Sequence, residues 1–359
     1  MSELEIRRRQ EYKENRKKWA LIQLIAIVVL VAVALSTFFL YTRLNQTQYV
    51  EYVENSCVDY KVQYEENEFF DKEWIDKSLK MSDFRGCEYS FANNIAWRRL
   101  GNAKISRFED FYICASFLEE TPAFFFPAGK GDYRKLFHEF YEFSSSMDKP
   151  LIIQSVSREN IEMFREFYGD CFEIESDEGG YDYIYNADDL INLSGKKYHS
   201  KRNHLARFNE NNWSYEEISD KNMDECIELS VNLYNDKMGY TNRSSVLEQL
   251  AIHTFFDNFD YLGLRGGVIR IDNKVVAFCI GEKINSDTMC IHIEKALPDI
   301  QGAYTAINNE FAKREAKDCR YINREEDLGI EGLRKAKKSY HPCFLLEKHK
   351  ITFNKEAKL

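Results

Sequence analysis

Four stretches hold the side chains best suited to chemistry. The first is Lys196-Lys197-Tyr198-His199-Ser200-Lys201-Arg202-Asn203-His204. On a helix, Tyr198, Leu205 and Phe208 form an apolar stripe, and Lys201 and Arg202 fall on or beside it. Cations at the edge of a core invite a phosphate or carboxylate ligand. Lys201, Arg202 and Asn203 are therefore candidates for binding a donor phosphate or stabilising an acyl oxyanion. A solvated basic helix face is the plainer reading. The second stretch is Cys290–Lys295. Strand alternation puts Ile291 and Ile293 on one face and His292 and Glu294 on the other. Glu294 is the candidate general base, or a partner for a substrate amino group. His292 is the second choice, because its ordinary pKa lies near 6.5. A cross-strand ion pair would look the same.

The third stretch, Gln301-Gly302-Ala303-Tyr304, opens a helix whose backbone N–H groups at Gly302 and Ala303 can face an anion. It also fits an ordinary glycine turn. The fourth is Asn323-Arg324-Glu325-Glu326-Asp327, which ends a strand. There Asn323 and Glu325 share one side and Arg324 takes the other. Arg334, Lys337 and Lys338 follow on one helix face. Asn323, Arg324 and Arg334 are candidate substrate ligands, with surface pairing as the alternative.

Other chemistry finds little support. Gly129-Lys130-Gly131-Asp132 is a turn without the rest of a P-loop. No nucleophile elbow or HExxH occurs. Nine cysteines are present and none forms a C-x-x-C pair. No metal site is expected, and the cysteines read as small buried hydrophobes of a reducing compartment. Glu166 to Gly195 contains nine acids and no Lys or Arg. It reads as a solvated loop, or as a surface that steers a lysine-like substrate.

These stretches need a scaffold, and 359 residues suffice for two domains and an appendage. A net charge of −10 excludes a generic polyanion binder, so any nucleic-acid contact must use a local patch. Ala20 to Leu40 carries no charge and matches the hydrocarbon thickness of a bilayer. Trp19 and Tyr41 flank it. Residues 20–41 are expected to form one transmembrane helix after a basic N-terminus, 1–19. An acidic stalk, 42–71, follows. Arg7, Arg8, Arg9, Lys13, Arg16, Lys17 and Lys18 precede the span, whereas only Arg43 and Lys61 closely follow it. The positive-inside rule puts the N-terminus in the cytoplasm and the remainder outside.

From residue 72 strands alternate with helices, so the fold class is α/β (α+β) in two units, 72–191 and 192–359. The first unit has strands at 111–117, 123–127, 151–156 and 181–185. Its helices are 132–143 and 158–168. In the second, Ser194 is placed to cap a helix through 196–209. Helices at 222–234 and 245–256 follow. A hairpin, 267–271 and 274–280, turns at Asp272-Asn273. The order then runs strand 288–295, helix 303–316, strand 321–325, helix 332–340 and strand 344–349.

That order resembles the core of the GNAT acyltransferase fold. Leu193–Phe208, Leu264–Glu282 and Ile291–Pro342 resemble the C-terminal domain of phosphatidylglycerol lysyltransferases, as does Gly86–Arg98. The resemblance covers residues 72 to 350. It implies a tandem GNAT-like architecture, also similar to Fem-type aminoacyl transferases. It further implies an aminoacyl-tRNA donor and a lipid hydroxyl acceptor. The tRNA acceptor end would lie on the basic face near Arg334, and the acceptor would be a phospholipid or a peptide. Acyl-CoA is a weaker donor, because the Gln301–Ala303 turn lacks the complete GNAT phosphate signature. No bound cofactor is expected. One span replaces the multi-helix membrane part of the lysyltransferases. The expectation is a membrane-anchored transferase acting by direct attack on an activated ester. The alternative is a catalytically silent GNAT-like binding module on the membrane surface. Donor chemistry places the domain in the cytoplasm, and the flanking charges place it outside.

Overall fold

The computed structural model describes residues 65–66, 71–238 and 243–354. The expected basic terminus, transmembrane helix and most of the stalk lie outside them. Among the described residues no helix is long and apolar enough to cross a membrane.

The first half contains β1 (Glu65–Glu66), α1 (Lys72–Ser82), α2 (Phe91–Trp97), β2 (Ala103–Phe108), β3 (Phe111–Ser116) and β4 (Ala123–Phe125). It continues through α3 (Tyr133–Ser146), β5 (Ile152–Val156), α4 (Arg158–Tyr168), β6 (Phe172–Ser176), β7 (Asp182–Asn186) and α5 (Ala187–Asn192). Next come α6 (His199–Phe208), β8 (Trp213–Glu217), α7 (Met223–Met238), α8 (Arg243–Asp257), α9 (Phe259–Leu262), β9 (Arg265–Ile271) and β10 (Lys274–Lys283). The chain ends with β11 (Thr288–Ala296), α10 (Ala303–Glu315), β12 (Tyr321–Asn323), α11 (Glu331–Lys338), β13 (Phe344–Leu346) and β14 (His349–Phe353).

Local sequence explains several boundaries. Asp132 accepts hydrogen bonds from the N–H groups of Arg134 and Lys135 and so starts α3. Ser157 caps α4, and Gly169 ends it at a φ of 66°. The β9–β10 hairpin turns through Asp272 and Asn273, both at positive φ, as their residue types allow. Ser194 does not cap the following helix. Gly195 turns at positive φ, residues Lys196–Tyr198 form a 3₁₀ turn, and α6 starts at His199 without a side-chain cap.

The described strands make two sheets, in the orders β1-β2-β3-β4-β5-β14-β6 and β13-β7-β12-β11-β10-β9-β8. Each has a run of antiparallel neighbours and then one parallel junction, β4 with β5 and β11 with β12. A helix, α3 or α10, makes each crossover. The sheets exchange strands. β7 precedes residue 192 yet pairs with β12 and β13, and β14 at the far end of the chain pairs with β5 and β6. The single strand expected over 344–349 is therefore two strands in different sheets. Glu65–Glu66, expected in the stalk, pairs with β2.

Aromatic side chains fill the core beside the first sheet, where Phe124 stacks on Phe140 at 4.3 Å. Each such buried ring contributes roughly 1.5–3 kcal/mol of transfer free energy. α10 packs on one face of the second sheet. On the other, α2, α7 and α8 join Ile105 and Tyr112 of the first sheet to Phe278, Ile280 and Ile293 of the second. That shared core fuses the two units.

Candidate functional site: two faces of one opened sheet

β11 and β12 pair only over Thr288–Cys290 and Tyr321–Asn323. Beyond that, β11 runs on to Ala296, while the other chain turns away through Glu325 at a φ of 56°. The sheet opens where they part, and ionisable side chains fill both faces of the opening.

A bulge divides them. Ile280 pairs with Ile293 and Gly281 with Ile291, so His292 is left without a cross-strand partner. Gly281 is required there, because a Cβ would lie 2.3 Å from the Cys290 carbonyl oxygen. The extra residue breaks the alternation. Ile291 packs in the α10 core and Ile293 in the core shared by the units. His292 and Glu294 consequently belong to separate clusters, whereas unbroken alternation had put them side by side.

On the α10 face, Arg324 donates to Glu294 Oε1 at 2.9 Å, and Asn308 of α10 donates to Oε2 at 2.9 Å. The guanidinium lies 4.7 Å from the centre of the Tyr340 ring. Its second terminal nitrogen, Nη1, is buried and has no hydrogen-bond partner. Lys201 Nζ sits over the same Tyr340 ring, 3.5 Å from its centre, and donates to Ser339 Oγ at 2.7 Å. Burial, then Arg324, lower its pKa to about 8, against the pull of Glu294. Charge neighbours therefore connect Lys201, Arg324 and Glu294 in one polar cluster.

The opposite face is richer in acid. His292 is buried, with Nε2 3.1 Å from Glu282 Oε1 and Nδ1 2.8 Å from Glu325 Oε1. Ser90 Oγ bonds to the same Glu282 oxygen. The Phe255 ring stacks on the imidazole. Burial opposes a charged ring, yet Cys290 and the two carboxylates outweigh it and raise the His292 pKa well above its ordinary value. Beside them, Lys348 Nζ donates to Asp182 at 2.6 Å and forms an ion pair with Glu88 at 2.8 Å, with Cys87 Sγ at 3.5 Å. Burial would raise the Asp182 pKa, but the Lys348 ammonium and three further hydrogen-bond contacts, the first also from Lys348, hold it below the usual range. Burial, with Asp182 and Glu325 nearby, pushes Glu326 up to about 7 against the pull of Lys348.

The remaining sequence candidates lie elsewhere. Arg202 donates to the carbonyls of Leu193 at 2.5 Å and Gly195 at 2.8 Å, which ties down the loop before α6. Asn203 is exposed and meets only His199 among the described contacts. Asn323 is buried on the acidic face, where it bonds to Asp182 and the Arg85 carbonyl. Arg334 makes a two-pronged ion pair with Asp327. Gly302 turns at a φ of 88° beneath α6, and a Cβ there would lie 2.3 Å from the His204 carbonyl oxygen. The Ala303 N–H donates to Ile300 within the same turn. Of these candidates Lys201, Glu294 and Arg324 lie together, and Arg202 is a loop brace apart from them.

Sequence reading did not single out Cys87, Glu88, Ser90, Asp182, Glu282 or Lys348. They come from distant segments and meet only through the strand exchange. One signal was available: Cys87, Glu88 and Ser90 fall in the Gly86–Arg98 stretch that carries the resemblance.

Comparison with known proteins gives a consistent picture. The family model described as phosphatidylglycerol lysyltransferase, C-terminal, matches residues 79–349. A conserved protein of unknown function from Bacteroides thetaiotaomicron is 34% identical, with a TM-score of 0.76, over 82% of this chain and all of that one. The L-PGS structure from Bacillus licheniformis is 15% identical, with a TM-score of 0.56, over 80% of this chain and 93% of that one; at that identity the likeness shows the fold. No curated protein matches the sequence.

Proposed function

The chain belongs to the phosphatidylglycerol lysyltransferase C-terminal family, and from that premise we propose that it moves an aminoacyl group from aminoacyl-tRNA to a hydroxyl or amine acceptor. The observation that supports this most is the buried, unpartnered Nη1 of Arg324 beside Lys201, in the opening between β11 and β12. A buried donor without an acceptor is costly. An ester carbonyl or phosphate oxygen would satisfy it.

In this mechanism Arg324 and protonated Lys201 face the oxygen that becomes negative as the acceptor attacks the ester carbonyl. Glu294 holds the guanidinium in place through Oε1. The acceptor loses its proton as the new ester or amide bond forms, and the departing ribose oxygen gains one. Glu294 is the carboxylate of this cluster that can carry it, on releasing Asn308. Direct attack needs no covalent enzyme intermediate. His292, on the far face, takes no part in this step. The phospholipid or peptide acceptor, and a membrane anchor in residues 20–41, belong to the same proposal.

The test supplies the full chain with tRNA charged with labelled lysine or alanine and with phospholipid or peptide acceptors. Transfer that falls about 10²–10³-fold in Arg324→Gln is expected, the usual loss for one oxyanion donor. A folded protein that transfers to neither acceptor would leave the binding module as the better reading. The side of the membrane is tested by thiol labelling of exposed Cys343 in intact cells. Aminoacyl-tRNA is a cytoplasmic donor, so labelling by an impermeant reagent from outside would end the tRNA proposal.

A further inference from the structure

We propose that Cys290, His292 and Glu325 form a binding site for a borderline-soft divalent metal ion of the zinc type, with Glu282 as the carboxylate that orients the histidine. The first two ligands come from one strand. Cys290 and His292 stand two residues apart on β11 and face the same side, opposite α10. Glu325 follows β12, the parallel neighbour, and its Oε1 lies 2.8 Å from His292 Nδ1 and 3.8 Å from Cys290 Sγ. All three ligand atoms fall within 4.8 Å of one another.

The spacing suits a small tetrahedral ion. Bonds of about 2.0–2.3 Å to N, O and S put ligand atoms roughly 3.3–3.7 Å apart. The sulfur-to-oxygen separation is close to that already. The nitrogen-to-oxygen contact must widen by about half an ångström, which a carboxylate rotation supplies. The surroundings match as well. The other imidazole nitrogen, Nε2, faces Glu282, itself held by Ser90. A carboxylate behind a metal-bound histidine fixes its tautomer and strengthens its bond to the ion. Mixed sulfur, nitrogen and oxygen donors select zinc-like ions over magnesium or calcium. Loading expels the Cys290 thiol proton and the Nδ1 proton to solvent, and three protein ligands leave the fourth corner to water or a substrate atom.

A neighbouring trio is filled in a different way. Cys87, Glu88 and Asp182 also bring their ligand atoms together. Lys348 Nζ already touches all three, so a covalently attached ammonium fills that site. At Cys290, Glu282 and Glu325 the positive charge is the His292 imidazolium, whose Nδ1 proton a metal ion would replace, while the Lys337 ammonium bonds to the Glu325 backbone carbonyl at 3.1 Å.

The experiment adds zinc or cobalt(II) to the purified full chain after chelator treatment and dialysis. One ion per chain is expected, and the cobalt form should show thiolate-to-metal charge-transfer absorption. Cys290→Ser should abolish that band and weaken zinc binding by at least about 100-fold, and Glu282→Gln by about 10–100-fold. Cys87→Ala should retain both. If Cys290→Ser does not fold, Glu325→Gln with intact thiols reports on the same site through its zinc affinity. Absence of stoichiometric binding to the parent protein would overturn the proposal, as would a cobalt band that survives Cys290→Ser and disappears in Cys87→Ala.

Discussion

The two faces of the opened sheet solve the problem of buried charge differently. On the acidic face, the Lys348 ammonium is ion-paired with both Asp182 and Glu88, and the chain supplies both signs. On the α10 face, Glu294 is satisfied by Arg324 and Asn308, but Arg324 keeps one nitrogen unused and Lys201 holds a lowered pKa. A closed network of charges gives the fold a unique register, whereas an incomplete one is poised for a ligand. The two faces lie back to back on the same strands, so one bulged residue decides which chemistry each side chain joins.

The largest expected effect tests the closed network. Lys348→Met leaves Asp182 and Glu88 buried without their ammonium and should cost about 3–5 kcal/mol of stability, measured by chemical denaturation. A loss under about 1 kcal/mol would show that the acidic face is wet and tolerant, and the contrast between the faces would fail. Arg324→Gln should do the reverse, with the large loss of transfer given above and a smaller loss of stability than Lys348→Met.

Lys201 sharpens the comparison through pH. Its charge is lost above about pH 8, so transfer should decline there, and Lys201→Arg should carry the activity to higher pH. A rate that instead rises toward pH 8 would make the neutral amine a base and overturn the oxyanion role. Stability has its own sign. The folded pKa is below the ordinary 10.5, so between about pH 8 and 10.5 the unfolded chain binds more protons. Stability attributable to Lys201 therefore rises with pH in that window, and Lys201→Met should remove the rise. The smallest effects belong to Arg202→Gln and Arg334→Gln. Each should change transfer less than about twofold, and Arg202→Gln should cost about 0.5–1.5 kcal/mol of stability. A loss from Arg202→Gln as large as that from Arg324→Gln would put Arg202 in the transfer site.

Much of the scaffold is legible from periodicity. The amphipathic helix Arg158–Tyr168 and the hairpin at Asp272-Asn273 follow from residue type and spacing. Arg324 does face away from Asn323 and Glu325, although β12 ends at Asn323 and Glu325 turns at positive φ. Two features escape such rules. Alternation misplaces Glu294 relative to His292 because a bulge adds a residue without changing the apolar pattern; Gly281 within a strand was the only local sign of it. The run at 344–349 reads as one strand because local preference does not reveal that Leu346 and His349 hydrogen-bond in different sheets.

The sequence by itself determined the α/β class, the family, most element positions and the residue types available for acyl transfer. These depend on contacts within a few residues or on long matched motifs. Only the tertiary structure decided that Cys87, Asp182 and Lys348 meet, and that Lys201 faces Arg324 while Arg202 does not. Those pairings join segments tens to hundreds of residues apart in the chain, brought together by strand exchange and the burial of a shared core, and neither is encoded by local spacing.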